Sequence, residues 1–127
     1  MSDVLAKVLV VEDDDHIREV AELALSQKGD LEVETCSRGK DAFDAVVDFQ
    51  PDLVLLDVMM PEVDGITVLE KLREDPQTAA LPVVFLTARA QPDEIEEYRS
   101  KGVADVITKP FDPIALPDRV RAAWENR

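Results

Sequence analysis

Five short apolar runs, separated by longer stretches with helical periodicity, constrain the fold of this 127-residue chain most strongly. The runs span residues 8–11, 31–36, 53–56, 83–86 and 106–108. Short strands that alternate with helices are joined by crossover connections, and such connections build a parallel sheet covered by helices on both faces. The sequence therefore predicts an α/β fold with a five-stranded parallel sheet.

The stretches between the runs predict five helices, at about 15–28, 38–49, 66–74, 93–101 and 113–125. Gly29 is expected to end the first helix and Ser37 to cap the second. The acidic fourth helix has few apolar anchors, so its packing should be the weakest. The side chains expected to face the sheet are Ile17, Val20, Ala21, Ala24, Leu25, Ala42, Phe43, Val46, Val47, Ile66, Leu69, Leu72, Ile95, Tyr98, Ile114, Leu116, Val120 and Trp124.

Polar side chains end four of the five runs. Glu12 and Asp13 follow the first run, and Asp57 follows the third. Carboxylates brought side by side at the edge of a sheet repel each other unless a cation lies between them. Thr87 and Lys109 end the fourth and fifth runs. Acids, a hydroxyl and an ammonium at successive strand ends predict a site that binds Mg²⁺ and handles phosphate.

The charge balance excludes several kinds of partner. The chain has 28 acidic and 14 basic residues, a net charge of -14, which argues against direct binding of nucleic acid or of an anionic membrane. No apolar run is long enough to span a membrane, and the N-terminus lacks the features of a signal peptide. The single Cys36 cannot form an internal disulfide. We therefore expect one soluble cytoplasmic domain over residues 1–127, with no output domain.

Four motifs in this order resemble the receiver domain of two-component response regulators, and the resemblance covers essentially the whole chain. The most specific motif is D-x-x-M-P-x-x-D-G at residues 57–65. The others are Val-Val-Glu-Asp at 10–13, Leu-Thr-Ala at 86–88 and Thr-Lys-Pro-Phe at 108–111. The resemblance implies a flavodoxin-like, doubly wound sheet of strand order 2-1-3-4-5, which binds ligands beyond the carboxyl ends of strands 1 and 3.

The resemblance also implies the ligands of a magnesium ion. Asp13 and Asp57 should bind Mg²⁺ directly, the backbone carbonyl of Met59 should be a third ligand, and Glu12 should act mostly through water. Asp57 would accept a phosphoryl group from a histidine kinase or a histidine phosphotransferase. A downstream protein effector would then recognise the phosphorylated form.

Two further residues receive roles from the same resemblance. Thr87 would donate its hydroxyl to a phosphoryl oxygen, and Lys109 would supply a positive charge next to it. The family uses a cis peptide before Pro110 to turn the lysine inward. The protein would then be a signalling switch with only slow autophosphorylation and autodephosphorylation, and not an enzyme.

Several neighbours of these residues have simpler structural interpretations. Asp14 and Asp15 are expected to be solvated first-turn residues or caps of the first helix. Asp64 and Gly65 are expected to form a turn with the glycine in a left-handed conformation. His16 is expected to be exposed and to take no part in the chemistry.

The chain departs from the family at the position three before the lysine, where many receivers have an aromatic residue and this one has Val106. The stiff valine cannot swing inward as that aromatic does. The signal would pass either through Thr87 and backbone shifts, or through Tyr98 or Phe111. The residues two beyond Asp57 and Thr87, Met59 and Arg89, predict slow loss of the phosphate.

Other functions and assemblies remain open from the sequence. The chain could be a phosphorylation-independent adaptor, or a receiver excised from a longer regulator. A magnesium-dependent phosphatase fits less well, because it would need a second acid where Met59 stands. Arg119 and Arg121 could pair with the acidic fourth helix of a second copy, in a homodimer through helix 4, strand 5 and helix 5. A solvated surface and a monomer are the simpler alternative.

Overall fold

The computed structural model describes residues 4–127. Its strands are β1 (Lys7–Val11), β2 (Glu32–Cys36), β3 (Leu53–Asp57), β4 (Val83–Thr87) and β5 (Asp105–Thr108). They form one sheet of order β2-β1-β3-β4-β5, in which every neighbouring pair is parallel. The predicted fold class and strand order are confirmed.

A helix follows each strand, and all five predicted helices are present. The helices are α1 (Asp15–Leu23), α2 (Ala42–Phe49), α3 (Gly65–Glu74), α4 (Pro92–Arg99) and α5 (Leu116–Glu125). A π-helical turn, Ala24–Lys28, continues α1, and a 3-10 turn, Gly39–Asp41, precedes α2. Within residues 4–127, none of these helices is long and apolar enough to cross a membrane.

The sheet separates two apolar clusters, so its central strands are buried on both faces. Every residue of β3 and of β4 is buried, which explains their uninterrupted apolar runs. One cluster contains Leu9, Leu56 and Phe85 beneath α2, α3 and α4. The other contains Val10, Leu55 and residues of α1 and α5. Because both faces are covered, polar groups on these strands are confined to the strand ends.

Two predicted core residues are exposed. Val47 is 38% exposed, because the buried face of α2 is formed by Ala42, Val46 and Phe49 and leaves Val47 on its flank. Ile114 is 70% exposed, because it lies in the turn before α5 and not in its first turn. Several other predicted core residues are only half-buried: Ile17, Val20, Phe43, Ile66 and Ile95.

Of the two predicted helix N-caps, one is confirmed and the other is wrong. Asp14 caps α1, since its Oδ1 accepts a hydrogen bond of 3.0 Å from the Ile17 N–H. Ser37 caps neither the 3-10 turn nor α2, which begin without a side-chain cap. The turn supplies backbone partners instead, as in the 3.2 Å hydrogen bond from the Asp41 N–H to the Arg38 carbonyl.

One glycine prediction is confirmed and another is wrong: Gly29 ends the first helix as predicted, whereas Gly65 does not form a left-handed turn. Gly65 is not left-handed: it is the first residue of α3, and Asp64 caps that helix by accepting from the Thr67 N–H at 2.8 Å. A Cβ at Gly65 would lie 2.3 Å from the Asp57 carbonyl oxygen. Gly29 ends the first helix in a right-handed conformation, with φ of -85°. Close backbone contact, rather than a left-handed turn, requires glycine at position 65.

Candidate functional site

Three acids come together where β1 and β3 end. These strands are neighbours in the sheet, with Val11 opposite Leu56. Glu12 and Asp13 directly follow β1, and Asp57 is the last residue of β3. One carboxylate oxygen from each acid lies within 4.8 Å of the others. Glu12 and Asp57 are buried while Asp13 is exposed, so the cluster opens to solvent on the side of Asp13.

A lysine ammonium contacts both buried acids. Lys109 follows β5, and its Nζ lies 2.8 Å from Glu12 Oε1 and 3.1 Å from Asp57 Oδ1. The Lys109–Pro110 peptide bond is cis, as predicted. The Lys109 N–H donates to the Thr87 carbonyl at 2.8 Å, which connects the lysine to the end of β4. The ammonium therefore compensates part of the negative charge from one side of the cluster.

The two oxygens of Asp57 have different surroundings. Oδ1 contacts Lys109 and accepts a 3.2 Å hydrogen bond from the Met59 N–H. Oδ2 is buried and accepts no hydrogen bond from any residue between 4 and 127. A buried carboxylate oxygen without a donor is costly, and native proteins seldom leave one without a partner. Mg²⁺ prefers such carboxylate and carbonyl oxygens, so Asp57, Asp13 and the adjoining Met59 backbone fit this ion.

The charges of the site shift the pKa values of two groups. Burial raises the pKa of Asp57 from 3.8 to about 7, helped by hydrogen bonding with Glu12, by repulsion from Glu12 and by hydrogen bonding with Asp13, and the Lys109 charge opposes this only in part. Burial acts to lower the pKa of Lys109, but contact with Glu12 and Asp57 outweighs it, so that pKa is raised. The single ammonium of Lys109 does not balance the three carboxylates of the site.

A threonine hydroxyl completes the polar edge of the sheet. Thr87 is the buried last residue of β4, beside β3, where Asp57 pairs with Leu86. Its Oγ1 accepts a 3.0 Å hydrogen bond from the Arg89 N–H. The hydroxyl keeps its own hydrogen for another acceptor. The structure thus brings Glu12, Asp13, Asp57, Thr87 and Lys109 to one edge of the sheet.

This constellation and the fold agree with comparisons against known proteins. The family model of the response regulator receiver domain matches residues 8–121. This chain belongs to the response regulator receiver family. Among solved structures, the chemotaxis protein CheY4 of Vibrio cholerae superposes with a TM-score of 0.85 at 29% identity, over 94% of this chain and 99% of CheY4. A putative response regulator from Chloroflexus aurantiacus superposes with a TM-score of 0.85 at 32% identity. The match covers 95% of this chain and 98% of that protein.

Curated relatives are longer than this receiver. Response regulator Rre1 of Synechocystis sp. is 42% identical over 115 residues, which cover 90% of this chain and 49% of Rre1. Transcriptional regulatory protein CseB of Streptomyces coelicolor is 38% identical over 115 residues, which cover 91% of this chain and 47% of CseB. The receiver spans about half the length of the curated relatives it matches. Members of this family are signalling domains and not classical enzymes.

Around the acids, the receiver exposes the two residues predicted to control phosphate lifetime. The Met59 residue is 52% exposed. Arg89 is also exposed, with its guanidinium 3.6 Å from Glu94 of α4. His16 is exposed on α1, as predicted. The thioether of Met59 is only a weak hydrogen-bonding group.

Arg18 of α1, which no sequence motif singles out, contacts the backbone of the acidic cluster. This half-buried arginine donates from its guanidinium to the Glu12 carbonyl at 3.0 Å and pairs with Asp15 at 2.5 Å. The Asp15–Arg18 spacing is a recognisable helical i,i+3 pair. Its contact with the Glu12 backbone depends on how α1 leaves the sheet, which the spacing does not predict.

The aromatic candidates for signal transmission lie on opposite faces of the receiver sheet. Val106 is buried with Phe85 and Tyr98 in the same cluster. The Phe85 and Tyr98 rings meet edge to face, with centroids 5.6 Å apart and an interplanar angle of 89°. Phe111 packs against the other cluster. Tyr98 contacts β4, the strand that ends on Thr87, through the ring of Phe85.

Both arginines of α5 that were considered for a dimer, Arg119 and Arg121, have partners within the chain. Asp105, the first residue of β5, pairs within the chain with Arg99 at 3.1 Å and with Arg119 at 3.2 Å. Arg121 donates to the carbonyl of Gly29, which follows the first helix. Helical spacing turns Arg121 towards α1, so of the two arginines predicted to pair with the fourth helix of a second copy only Arg119 lies beside β5.

Proposed function

We propose that this receiver accepts a phosphoryl group on Asp57 from the phosphohistidine of a histidine kinase or phosphotransferase, in a magnesium-dependent reaction. The observation that carries the proposal is the environment of Asp57. Its buried Oδ2 has no hydrogen-bond donor among residues 4–127, while Lys109 contacts its Oδ1. Membership of a phosphorelay family supports the same conclusion.

The chain's own oxygens would hold the metal. Asp13 and Asp57 would bind Mg²⁺ through their carboxylates and Met59 through its backbone carbonyl, while Glu12 would act through water. When bound, the ion offsets the negative charge of the phosphoryl oxygens. Asp13 is the exposed member of the cluster, so the ion would be loaded from its side.

The residues of the site divide the transfer between them. An oxygen of Asp57 forms a bond to phosphorus as the bond between phosphorus and the donor imidazole breaks, and the imidazole nitrogen keeps that electron pair. The Lys109 ammonium pairs with one phosphoryl oxygen, and the Thr87 hydroxyl donates to another. Since Thr87 Oγ1 accepts from the Arg89 N–H, a turn of this hydroxyl towards phosphate alters the loop before α4. A protein effector would read that change.

Incubation with acetyl phosphate tests the proposal. We expect intact-mass spectrometry to show one phosphoryl adduct that requires Mg²⁺ and is absent from Asp57→Asn. Asp48→Asn is the matched control, because Asp48 is exposed on α2 and should leave the adduct unchanged. A folded protein that gains no adduct from acetyl phosphate or from a phosphorylated histidine phosphotransferase would contradict the proposal and favour an adaptor.

The lifetime of the aspartyl phosphate should depend on Met59. An asparagine there could hydrogen-bond an attacking water, a contact worth about 1 kcal/mol, or about fivefold in rate. We therefore expect Met59→Asn to lose phosphate about fivefold faster than the unmodified protein. Met59→Leu, which adds no hydrogen-bonding group, should decay as the unmodified protein does. Equal decay in the asparagine and leucine variants would refute a role for this position.

Phosphorylation is also proposed to favour a homodimer through α4, β5 and α5 in the cytoplasm. Arg119, which already contacts Asp105, is the α5 arginine available on this face. Exposed ion pairs contribute little, so the phosphorylated state would need other contacts as well. Light scattering with and without acetyl phosphate should show a doubling of mass on phosphorylation, and one monomer mass in both states would argue against the dimer.

A further inference from the structure

We propose that Gly39, in the turn after β2, is a positioning residue for the metal site. Its backbone holds the loop 58–64, which carries the Met59 carbonyl. The inference rests on the proposed function, because it concerns the binding of Mg²⁺ by that carbonyl. It adds a residue that contacts neither the acids nor the phosphoryl group.

One side of the loop 58–64 is tied directly to the acidic cluster. The Met59 N–H donates to Asp57 Oδ1 at 3.2 Å, so the backbone that bears the proposed ligand adjoins the carboxylate. The Gly65 N–H closes the loop by donating to the Val58 carbonyl at 2.9 Å. These bonds set the two ends of the loop, and its outer part is closed within itself by the 2.8 Å hydrogen bond from the Val63 N–H to the Pro61 carbonyl.

Gly39 lies against that outer part. A Cβ added at Gly39 would lie 2.2 Å from the Val63 carbonyl oxygen and 3.0 Å from the Val63 carbonyl carbon. Both neighbours are backbone atoms, so no change of rotamer can relieve the overlap. Gly39 is not among the residues with positive φ between 4 and 127, so alanine brings no intrinsic backbone strain there. The glycine is required by the approach of Val63 and not by the turn.

The turn that carries Gly39 is itself held in place. The Cys36 thiol contacts the Arg38 carbonyl at 3.2 Å, and the Asp41 N–H donates to the same carbonyl at 3.2 Å. The Glu12 N–H donates to the Cys36 carbonyl at 3.0 Å, which ties the end of β2 to the acidic cluster. A side chain at position 39 would therefore displace the loop 58–64 rather than the turn.

The loop conformation also depends on contacts from outside. Glu62 has a φ of 67°, in the left-handed region. For a residue with a side chain this costs about 1 kcal/mol and persists only where the surroundings impose it. Gly39 provides such a contact through Val63, one residue further along the loop. Loss of that contact geometry would move the loop, and the Met59 carbonyl with it.

The test is the magnesium affinity of unphosphorylated Gly39→Ala, measured by isothermal titration calorimetry. Supporting contacts outside the ligand set typically change metal affinity by about tenfold or more, so we expect the Kd for Mg²⁺ to rise by about tenfold. Gly29→Ala is the matched control. Its Cβ would lie 2.6 Å from the Leu25 carbonyl oxygen, and its φ of -85° is also compatible with alanine. Because Gly29 precedes β2, it lies at the amino ends of the strands, away from the acidic cluster. The Kd of Gly29→Ala for Mg²⁺ should therefore be unchanged.

Each result has a distinct meaning. A folded Gly39→Ala with the Kd of the unmodified protein, or an equal loss of affinity in Gly29→Ala, would overturn the role of Gly39. An unmodified protein that binds no Mg²⁺ would overturn the proposed metal site itself. If Gly39→Ala does not fold, amide spectra of the unmodified protein decide: Mg²⁺ should shift the Gly39 resonance and leave Gly29 and Gly102 in place, and an unmoved Gly39 would overturn the inference.

Discussion

Replacing Asp57 by asparagine is expected to stabilise the metal-free protein at pH 8 by on the order of 3 kcal/mol. The carboxyl is buried between Glu12 and Asp13, and its pKa is raised from 3.8 to about 7. At pH 8 the folded state must therefore carry an ionised group that its surroundings disfavour. Asparagine has nearly the same shape without the charge, so the variant avoids this repulsion.

The pH dependence follows from the direction of that shift. Below about pH 4 the Asp57 carboxyl is protonated in both the folded and the unfolded chain, so it does not lower the free energy of unfolding. As the pH rises from 3.8 to about 7, the unfolded chain releases the proton while the folded protein retains it, so the free energy of unfolding falls. Above that range the Asp57 carboxyl is ionised in both the folded and the unfolded chain, and the free energy of unfolding falls no further because of it. Asp57→Asn should lack this decline.

Urea unfolding at several pH values between 4.5 and 8 measures the effect. Asp48→Asn controls for the loss of one exposed negative charge, and its curve should follow that of the unmodified protein. Saturating Mg²⁺ should stabilise the unmodified protein and narrow its difference from Asp57→Asn. If the free energy of unfolding without metal varied with pH in the same way for the unmodified protein and Asp57→Asn, the pKa of Asp57 would not be raised in the folded state.

Replacing Lys109 by methionine is expected to destabilise the metal-free protein by about 3 kcal/mol at pH 8. The ammonium lies within 2.8 Å of Glu12 Oε1 and 3.1 Å of Asp57 Oδ1, and both acids are buried. Methionine is of similar length but leaves the two carboxylates without their cation. The loss should be smaller at low pH, where Asp57 is protonated.

A double-mutant cycle with Asp57→Asn separates this charge effect from lost packing. Of the two buried acids that contact Lys109, Glu12 alone keeps its charge in the Asp57→Asn background, so Lys109→Met should cost less there. Lys28→Met, at an exposed lysine beyond α1, controls for the removal of a positive charge from the surface. An equal cost in both backgrounds would mean that Lys109 stabilises the fold through its aliphatic chain and not through Asp57.

The site residues could be predicted because each ends an apolar run. Asp57 follows the run of β3 and Lys109 follows that of β5, and a parallel sheet brings all carboxyl ends to one edge. The motif around Asp57 then connected this arrangement to a known family. The predictions that failed concern single side chains on helix flanks and turns, such as Val47 and Ile114, where local periodicity does not say which part of a segment meets the sheet.

The glycines show a second limit of the sequence. A glycine after an aspartate indicates a turn, so Gly65 was expected to be left-handed. Its actual requirement is the approach of the Asp57 carbonyl, and that of Gly39 is the approach of the Val63 carbonyl. The approach at Gly39 leaves no local signal, because Gly39 and Val63 lie on segments that follow different strands.

The sequence by itself determined the strands, the helices, the family and the residues at the carboxyl edge of the sheet, because hydrophobic period and strand ends are local properties of the chain. Only the tertiary structure decided that Lys109 contacts one oxygen of Asp57 while the other has no donor among residues 4–127, that Arg121 points towards α1, and that the Val63 carbonyl approaches Gly39. These features depend on distances and burial between segments far apart in the chain, which no local pattern specifies.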